Sequence, residues 1–183
     1  MSLTEAEIIN QLNDPNKRSS VFTKLVQLYQ ERLYWHIRKM VLSHDDANDI
    51  MQNTFMKAWK GLDGFRGDSQ LSTWMYRIAT NETMTFLASK RLATITSMDD
   101  VENTLMQNLQ ADEYFDGNAL QLKLQRAILT LPEKQRLVFN MKYFDEITYE
   151  ELEKILGTTA GALKASYHHA VKKIEKYFEN EDD

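Results

Sequence analysis

Lys164, His168 and Lys172 recur at every fourth residue, a spacing that lines three side chains up along one face of a helix. Two cations flanking an imidazole suit a phosphate backbone and the edges of bases rather than bond-making chemistry. The residues just before this row, Thr158, Thr159, Ala160, Gly161 and Ala162, are small enough for backbone to approach a phosphate closely. The plain alternative is a solvated helix face. A second concentration lies in FRGDSQLSTWMYRIATNETM, residues 65–84, where a glycine-punctuated turn leads into Thr73, Trp74, Tyr76, Arg77 and Asn81. Unstacked bases lie against aromatic rings and guanidinium planes. On a helical wheel Trp74 and Ile78 share one direction, Thr73, Arg77 and Asn81 a second, and Tyr76, Thr80 and Thr83 a third. Trp74 is read as core, which leaves the Thr, Arg, Asn and Tyr surface for a ligand.

Other chemistries fit poorly. His168 and His169 are adjacent, so on a helix they point about 100° apart and do not share a metal ion easily. Asp45, Asp46 and Asp49 have no accompanying His or Gly-rich loop; an acidic first turn that complements the helix dipole, or a charged docking face, explains them better. No nucleophile–base pairing, phosphate-binding loop or dinucleotide fingerprint is present, so no enzyme, cofactor or metal is expected. The absence of cysteine rules out disulfides and thiolate metal sites, which fits a reducing cytoplasm. The acidic start MSLTEAEIINQLND does not read as a signal peptide, and no run approaches the roughly 18 to 20 apolar residues of a membrane span. A cytoplasmic location follows as the expectation.

A net charge of −5 argues against nucleic acid until its distribution is considered. Residues 1–92 hold 12 Lys and Arg against 10 Asp and Glu, residues 93–117 hold six acids and no base, and residues 118–183 hold 10 bases and 11 acids. The acidity is thus concentrated in the middle of the chain.

The elements that must position these side chains are helices. Long stretches rich in Leu, Met, Lys, Glu and Gln run between sparse Gly and Pro, and no alternating β-branched run appears, so the fold is expected to be all-α. A first long helix carries Phe22, Leu25, Leu28 or Tyr29, Leu33 and Ile37 or Met40 inward. A second runs from Asp45 or Asp46, with Ile50, Phe55, Ala58 and Trp59 inward, and ends at Gly61 and Gly64. Ser72 is placed as the N-cap of a third that passes Leu87. Residues 93–117 read as a linker with one short helix near Leu105 and Leu109, dividing two helical domains. After it comes a helix through Leu120, Leu124, Ala127 and Ile128. TLPEKQRLVFNMKYF then restarts with Thr130 as cap and Glu133 closing a capping box. TYEELEKILG repeats the device with Thr148 and Glu151, and stops at Gly157. A last helix buries Leu163, Tyr167, Ala170 and Ile174, so the two final helices and their glycine turn form a helix-turn-helix candidate.

With those residues in place, the chain resembles the bacterial RNA polymerase sigma factors of the extracytoplasmic-function (ECF) group, which keep only sigma regions two and four. DDANDIMQNTFMKAWKGLDGFRGDSQLSTWMYRIATNETMTFL is similar to region two, and LPEKQRLVFNMKYFDEITYEELEKILGTTAGALKASYHHAVKKI to region four in order and spacing. The resemblance implies a non-catalytic specificity subunit. It divides the chain into a region-two domain at 1–92, an acidic linker at 93–117 and a region-four domain at 118–183. By the same resemblance Asp49, Ile50, Gln52, Asn53 and Phe55 dock on the clamp coiled coil of core RNA polymerase. Phe65, Arg66, Gly67, Asp68 and Ser69, with Thr73, Trp74, Tyr76, Arg77 and Asn81, engage the minus-ten promoter element and hold an extruded base. Thr158, Thr159, Ala160, Gly161, Lys164, Ser166, His168, His169 and Lys172 read the minus-thirty-five element. The linker's carboxylates mimic phosphates in the polymerase channels, and an anti-sigma factor is an implied further partner, able to hold the protein at the membrane. Ser166 and His169 depart from the family pattern, which usually carries Arg there, and ASKRLAT is less basic than the corresponding family segment. These departures leave open a sigma mimic that only sequesters an anti-sigma factor, which a pull-down with core polymerase distinguishes.

Overall fold

The structure, a computed structural model, describes residues 5–12, 14, 16–65, 67–94, 106–107 and 119–181. Eight helices are present among them: α1 (Glu5–Leu12), α2 (Arg18–Val41), α3 (His44–Gly61), α4 (Leu71–Thr94), α5 (Ala119–Leu129), α6 (Glu133–Tyr143), α7 (Tyr149–Leu156) and α8 (Ala160–Glu181). A single 3₁₀ turn, Leu62–Gly64, follows α3. The all-α expectation is met, with no strand among the described residues. Residues 93–117 fall mostly outside the description, and of the short helix expected there only Met106 and Gln107 are described, both helical.

α2, α3 and α4 pack on one another as a bundle, with α1 laid across α2. The periodicity of α2 delivers Leu25, Tyr29, Leu33, Ile37 and Met40 to the interior, while Leu28 stays exposed. Each such aliphatic side chain contributes about 1.5–3 kcal/mol by leaving water. α3 begins at Ser43, whose hydroxyl accepts from the Asp46 backbone N–H, with Asp45 and Asp46 in the first turn where they complement the helix dipole. Trp59, expected inward, is 38% exposed. Its ring stacks edge-on against Phe22 at 5.0 Å and lies under the Arg18 guanidinium at 4.8 Å. Arg18 is held in turn by Asp63 at 2.7 Å, so an amphipathic clamp at the surface replaces burial.

The cap of α4 is also displaced from its expected place. The helix starts at Leu71, and the Trp74 N–H donates to the Gln70 carbonyl, so Ser72 lies inside the first turn. The Ser72 N–H instead donates to the Glu5 carboxylate of α1 at 2.9 Å. A carboxylate from another helix thus supplies what a local hydroxyl was expected to give.

α5, α6 and α7 pack around α8. Thr130 is not the cap of α6: its hydroxyl donates to the Ala127 carbonyl at 2.7 Å, finishing α5, and α6 starts at Glu133 behind Pro132. Pro132 already supplies the extended backbone needed there and has no N–H to satisfy. The second capping box is present in full, with the Thr148 hydroxyl and the Glu151 carboxylate each serving the other residue's backbone N–H. Gly157 takes φ 65 and ends α7 in the left-handed region.

The two helical groups share one core. Leu137, Val138, Ile155 and Leu163 belong to the same buried cluster as Leu33, Ile37, Met75 and Ala79, and α4 packs on α7 while α2 packs on α6.

A candidate nucleic-acid interface

α8 turns Leu163, Ala170 and Ile174 inward, with Tyr167 half-buried. That choice of face leaves Lys164, His168, His169 and Lys172 exposed, along with Thr158, Thr159 and Gly161; Ala160 and Ser166 are half-buried. The basic row and the small first turn therefore lie on the solvent side of a helix separated from its partner α7 by three residues. This is the geometry in which a helix can enter a groove and present backbone and cations together. The Thr159 hydroxyl accepts from the Ala162 N–H at 3.4 Å, capping α8. Lys164 lies 5.5 Å from the Tyr149 ring centre. The two histidine rings stand 6.1 Å apart, and no group of three metal-ligating side chains occurs among the described residues.

On α3, Asp49, Gln52 and Asn53 are exposed and Phe55 is half-buried against Phe22. Ile50 is 2% exposed and belongs to the core, so it supports this surface from beneath. Met56, at 56% exposure, and Trp59 extend the same strip and were missed in the sequence. A Met three residues beyond Asn53 on a polar face was the available signal.

The stretch 65–84 is arranged differently from its helical-wheel reading. Phe65 packs on Trp74 with ring centres 5.1 Å apart. Gly67 takes φ 77, Asp68 is exposed and Ser69 half-buried; Arg66 lies outside the described residues. Trp74 and Ile78 are half-buried against the core, as expected. Thr73, Tyr76, Thr80 and Thr83 are buried, whereas Arg77 and Asn81 are exposed. Of the buried residues, Thr73 and Tyr76 face the C-terminal helices directly and Thr80 reaches them through His36. The Arg77 guanidinium donates to the Lys154 carbonyl near the end of α7. Thr73 and Tyr76 line a cleft of about 570 Å³ whose other wall is Phe144, Asp145 and Ile155. Asn81 shares a second cleft of about 330 Å³ with Thr158 and Ser166. The structure thus brings two sets of sequence-selected residues face to face.

A polar cluster missed in the sequence sits behind this contact. His36 of α2 is 1% exposed; its Nδ1 lies 2.9 Å from Asp145 Oδ2 and its Nε2 3.0 Å from the Thr80 hydroxyl. A carboxylate only accepts, so Nδ1 carries the hydrogen that it donates to Asp145. Lys39 donates to the other Asp145 oxygen at 2.6 Å. Burial pushes the Asp145 carboxyl up, but His36 and Lys39 outweigh it and hold it below the ordinary carboxylate value. Burial, then the charge of Asp145, pushes the Tyr76 hydroxyl far up, so it stays protonated.

Both parts of the chain match known protein families. A family model for sigma-70 region 2 matches residues 25–92, and one for sigma-70 region 4 matches residues 121–174. The ECF RNA polymerase sigma factor SigW of Bacillus subtilis (strain 168) is 30% identical over 165 residues, 85% of this chain and 87% of its own length. The chain belongs to the ECF family of RNA polymerase sigma factors. The ECF RNA polymerase sigma-E factor of Escherichia coli (strain K12) is 27% identical over 181 residues, 94% of this chain and 93% of its own. Two solved structures share the fold, each with a TM-score of 0.67. The sigma factor RpoE in complex with the anti-sigma factor NepR from Bartonella quintana is 21% identical, covering 86% of this chain and 96% of that one. CnrH in complex with the cytosolic domain of CnrY is 20% identical, covering 94% and 96%. As a sigma factor the protein binds bacterial core RNA polymerase, directs promoter-specific initiation and catalyses no reaction of its own. Among the described residues no helix is long and apolar enough to cross a membrane.

Proposed function

We propose that the sigma factor divides its task among three faces, with domains at 1–92 and 118–183 joined by the acidic stretch 93–117. The α3 strip of Asp49, Gln52, Asn53 and Phe55, supported by Ile50 and extended by Met56 and Trp59, takes the polymerase clamp. The 65–70 turn and the α4 face of Thr73, Tyr76, Arg77 and Asn81 take the minus-ten element, with Trp74 as the anchor beneath. Unstacking a base costs a few kcal/mol, which stacking and hydrogen bonds in a pocket return. The α7–α8 unit takes the minus-thirty-five element.

The observation that carries this reading is the solvent exposure of Lys164, His168 and Lys172 beside a small, capped first turn. Ser166 is half-buried and His169 exposed, so of the two places where the family usually carries Arg only His169 lies on an open face. Phosphate contacts are consequently few, free DNA affinity is low, and core polymerase supplies the rest of the binding. An anti-sigma factor is proposed as a further partner, in the cytoplasm or held at the membrane, because two structures of the same fold are complexes with such partners.

Run-off transcription with core polymerase on a promoter library tests the assignment. Wild-type protein gives specific starts, Lys164→Ala/Lys172→Ala weakens those that depend on the upstream element, and Arg77→Ala blocks opening. Specific starts that survive both changes undiminished refute the assignment of the two DNA faces.

A further inference from the structure

The α4 face assigned to the minus-ten element is covered by the protein's own C-terminal helices, and the contact that fixes them there is charged and buried. The Asp145 side chain is 5% exposed, and its two oxygens are taken separately by His36 and Lys39 of α2. His36 is itself fastened to Thr80 on α4. One carboxylate from the α6–α7 turn thereby engages α2 directly and α4 through the imidazole. The turn is shaped for this: the Ile147 N–H donates to the Met141 carbonyl, and Glu146 adopts φ 54, a conformation costly for a side-chain-bearing residue. Around the cluster, Tyr76 contributes a protonated hydroxyl and an edge-on ring 5.1 Å from His36, and Phe144 lies 4.9 Å from the Lys39 ammonium.

We propose that Asp145, clasped by His36 and Lys39, is an intramolecular latch that holds the C-terminal helices over the α4 face, so that promoter opening requires the latch to break. The inference rests on the assignment of α4 to the minus-ten element. A buried carboxylate is tolerated only while its partners remain in place, and all three groups become wet together when the helices separate. The latch is therefore cooperative. Thr73 and Tyr76 are 3% and 8% exposed while it is closed, and Arg77 is occupied by Lys154. The C-terminal helices form the opposite wall of that face, so a promoter strand cannot lie along it until the contact opens. Asp145 acts here as a positioning residue, touching neither polymerase nor DNA.

The chain has no cysteine, so dyes placed at Lys24→Cys and Glu175→Cys, both exposed, report the separation of the two helical groups in the full-length protein. Asp145→Asn is expected to lower the closed-to-open ratio by about 100-fold, the scale for removing one partner of a buried pair, and to lengthen the interdye distance. Promoter opening by the holoenzyme rises in the same direction, because the fraction with a free α4 face is larger. Lys39→Gln, which spares the His36 contact, gives a smaller shift in the same direction and covers the case in which Asp145→Asn folds poorly. A converse arm bridges Arg91→Cys to Glu133→Cys, whose native side chains pair across the same junction at 3.3 Å, with a short bis-maleimide. The bridged protein fails to open promoter, and the unbridged double variant opens it. Unchanged interdye distance in both latch variants, or full promoter opening by the bridged protein, overturns the proposal. Arg77→Ala in the Asp145→Asn background separates the two ideas: a longer distance with undiminished opening keeps the latch and rejects the α4 assignment.

Discussion

Arg77 is the residue on which the assignment of α4 and the closed arrangement make different demands, so its replacement is informative twice. In the free protein its guanidinium donates to the Lys154 carbonyl at an exposed position. A hydrogen bond from a charged donor is worth roughly 1.5–3 kcal/mol when sheltered, and solvent screening brings it to about 1 kcal/mol here. Arg77→Ala is therefore expected to lower unfolding free energy by no more than about 1 kcal/mol and to leave core-polymerase binding within a few-fold of wild type. On the proposed assignment the same guanidinium supports a base or its phosphate in the open complex, worth about 1–3 kcal/mol, or a 10- to 100-fold loss of opening. The assay pairs denaturant unfolding with permanganate footprinting of the melted minus-ten strand at saturating holoenzyme. Arg77→Lys sharpens it, because an ammonium keeps the charge and the carbonyl contact but lacks the planar stacking surface. Lys is expected to restore stability fully and opening only in part. A loss of more than about 2 kcal/mol of stability together with normal opening shows that Arg77 is structural and the reasoning wrong.

Three further outcomes follow from the same structure. Gly157→Ala places a side chain at φ 65 with open space around it, so the cost is backbone strain alone, about 1 kcal/mol in urea unfolding, with binding to upstream promoter DNA reduced in step. Lys164→Ala and Lys172→Ala each flatten the slope of log affinity against log salt by about 0.9 if each contacts one phosphate, as measured by anisotropy titration of holoenzyme on duplex DNA. The Asp145 carboxyl is held below its ordinary value near 3.9, so the stability it supplies is fully present above that value and is lost as pH falls below it. The difference in melting temperature between wild type and Asp145→Asn thus shrinks on acidification below about pH 4. A difference that grows as pH falls through that range contradicts the sign.

Much of the local structure was legible because its causes are local. The Thr148–Glu151 box, the left-handed Gly157 and the inward row of α8 each depend on residues within one or two turns, and each stands where the spacing put it. The errors arise where a distant partner changes the outcome. Ser72 loses the capping role because Glu5, 67 residues away, satisfies its N–H. Trp59 stays at the surface because Arg18, far along the chain, supplies a cation and a donor to its carbonyl. Thr130 differs, since there Pro132 outcompetes it locally. The α4 wheel put Thr73 on one free face with Arg77 and Asn81, and left Tyr76 free as well, but Thr73 and Tyr76 are buried while Arg77 and Asn81 are exposed. Periodicity reports that a helix has three kinds of face; it does not report which of them another domain covers.

That covering has a physical logic. A sigma factor that must open cannot join its domains with apolar surface alone, since a large apolar face released into water invites aggregation. Here the apolar contribution from Leu137, Val138 and Ile155 is interleaved with His36, Thr80 and Asn140, all buried, with the Asn140 amide donating to Met40 Sδ at 3.5 Å. Paired polar groups gain little net stability, because water offers each of them an alternative partner, yet they fix orientation, because any misaligned docking leaves a buried charge alone. The junction is therefore specific without being strong. Such an interface can be displaced by a partner that offers comparable contacts, and on the proposed assignment the residues it would release, Thr73, Tyr76 and Arg77, supply a hydroxyl, an aromatic ring and a guanidinium to an extruded base.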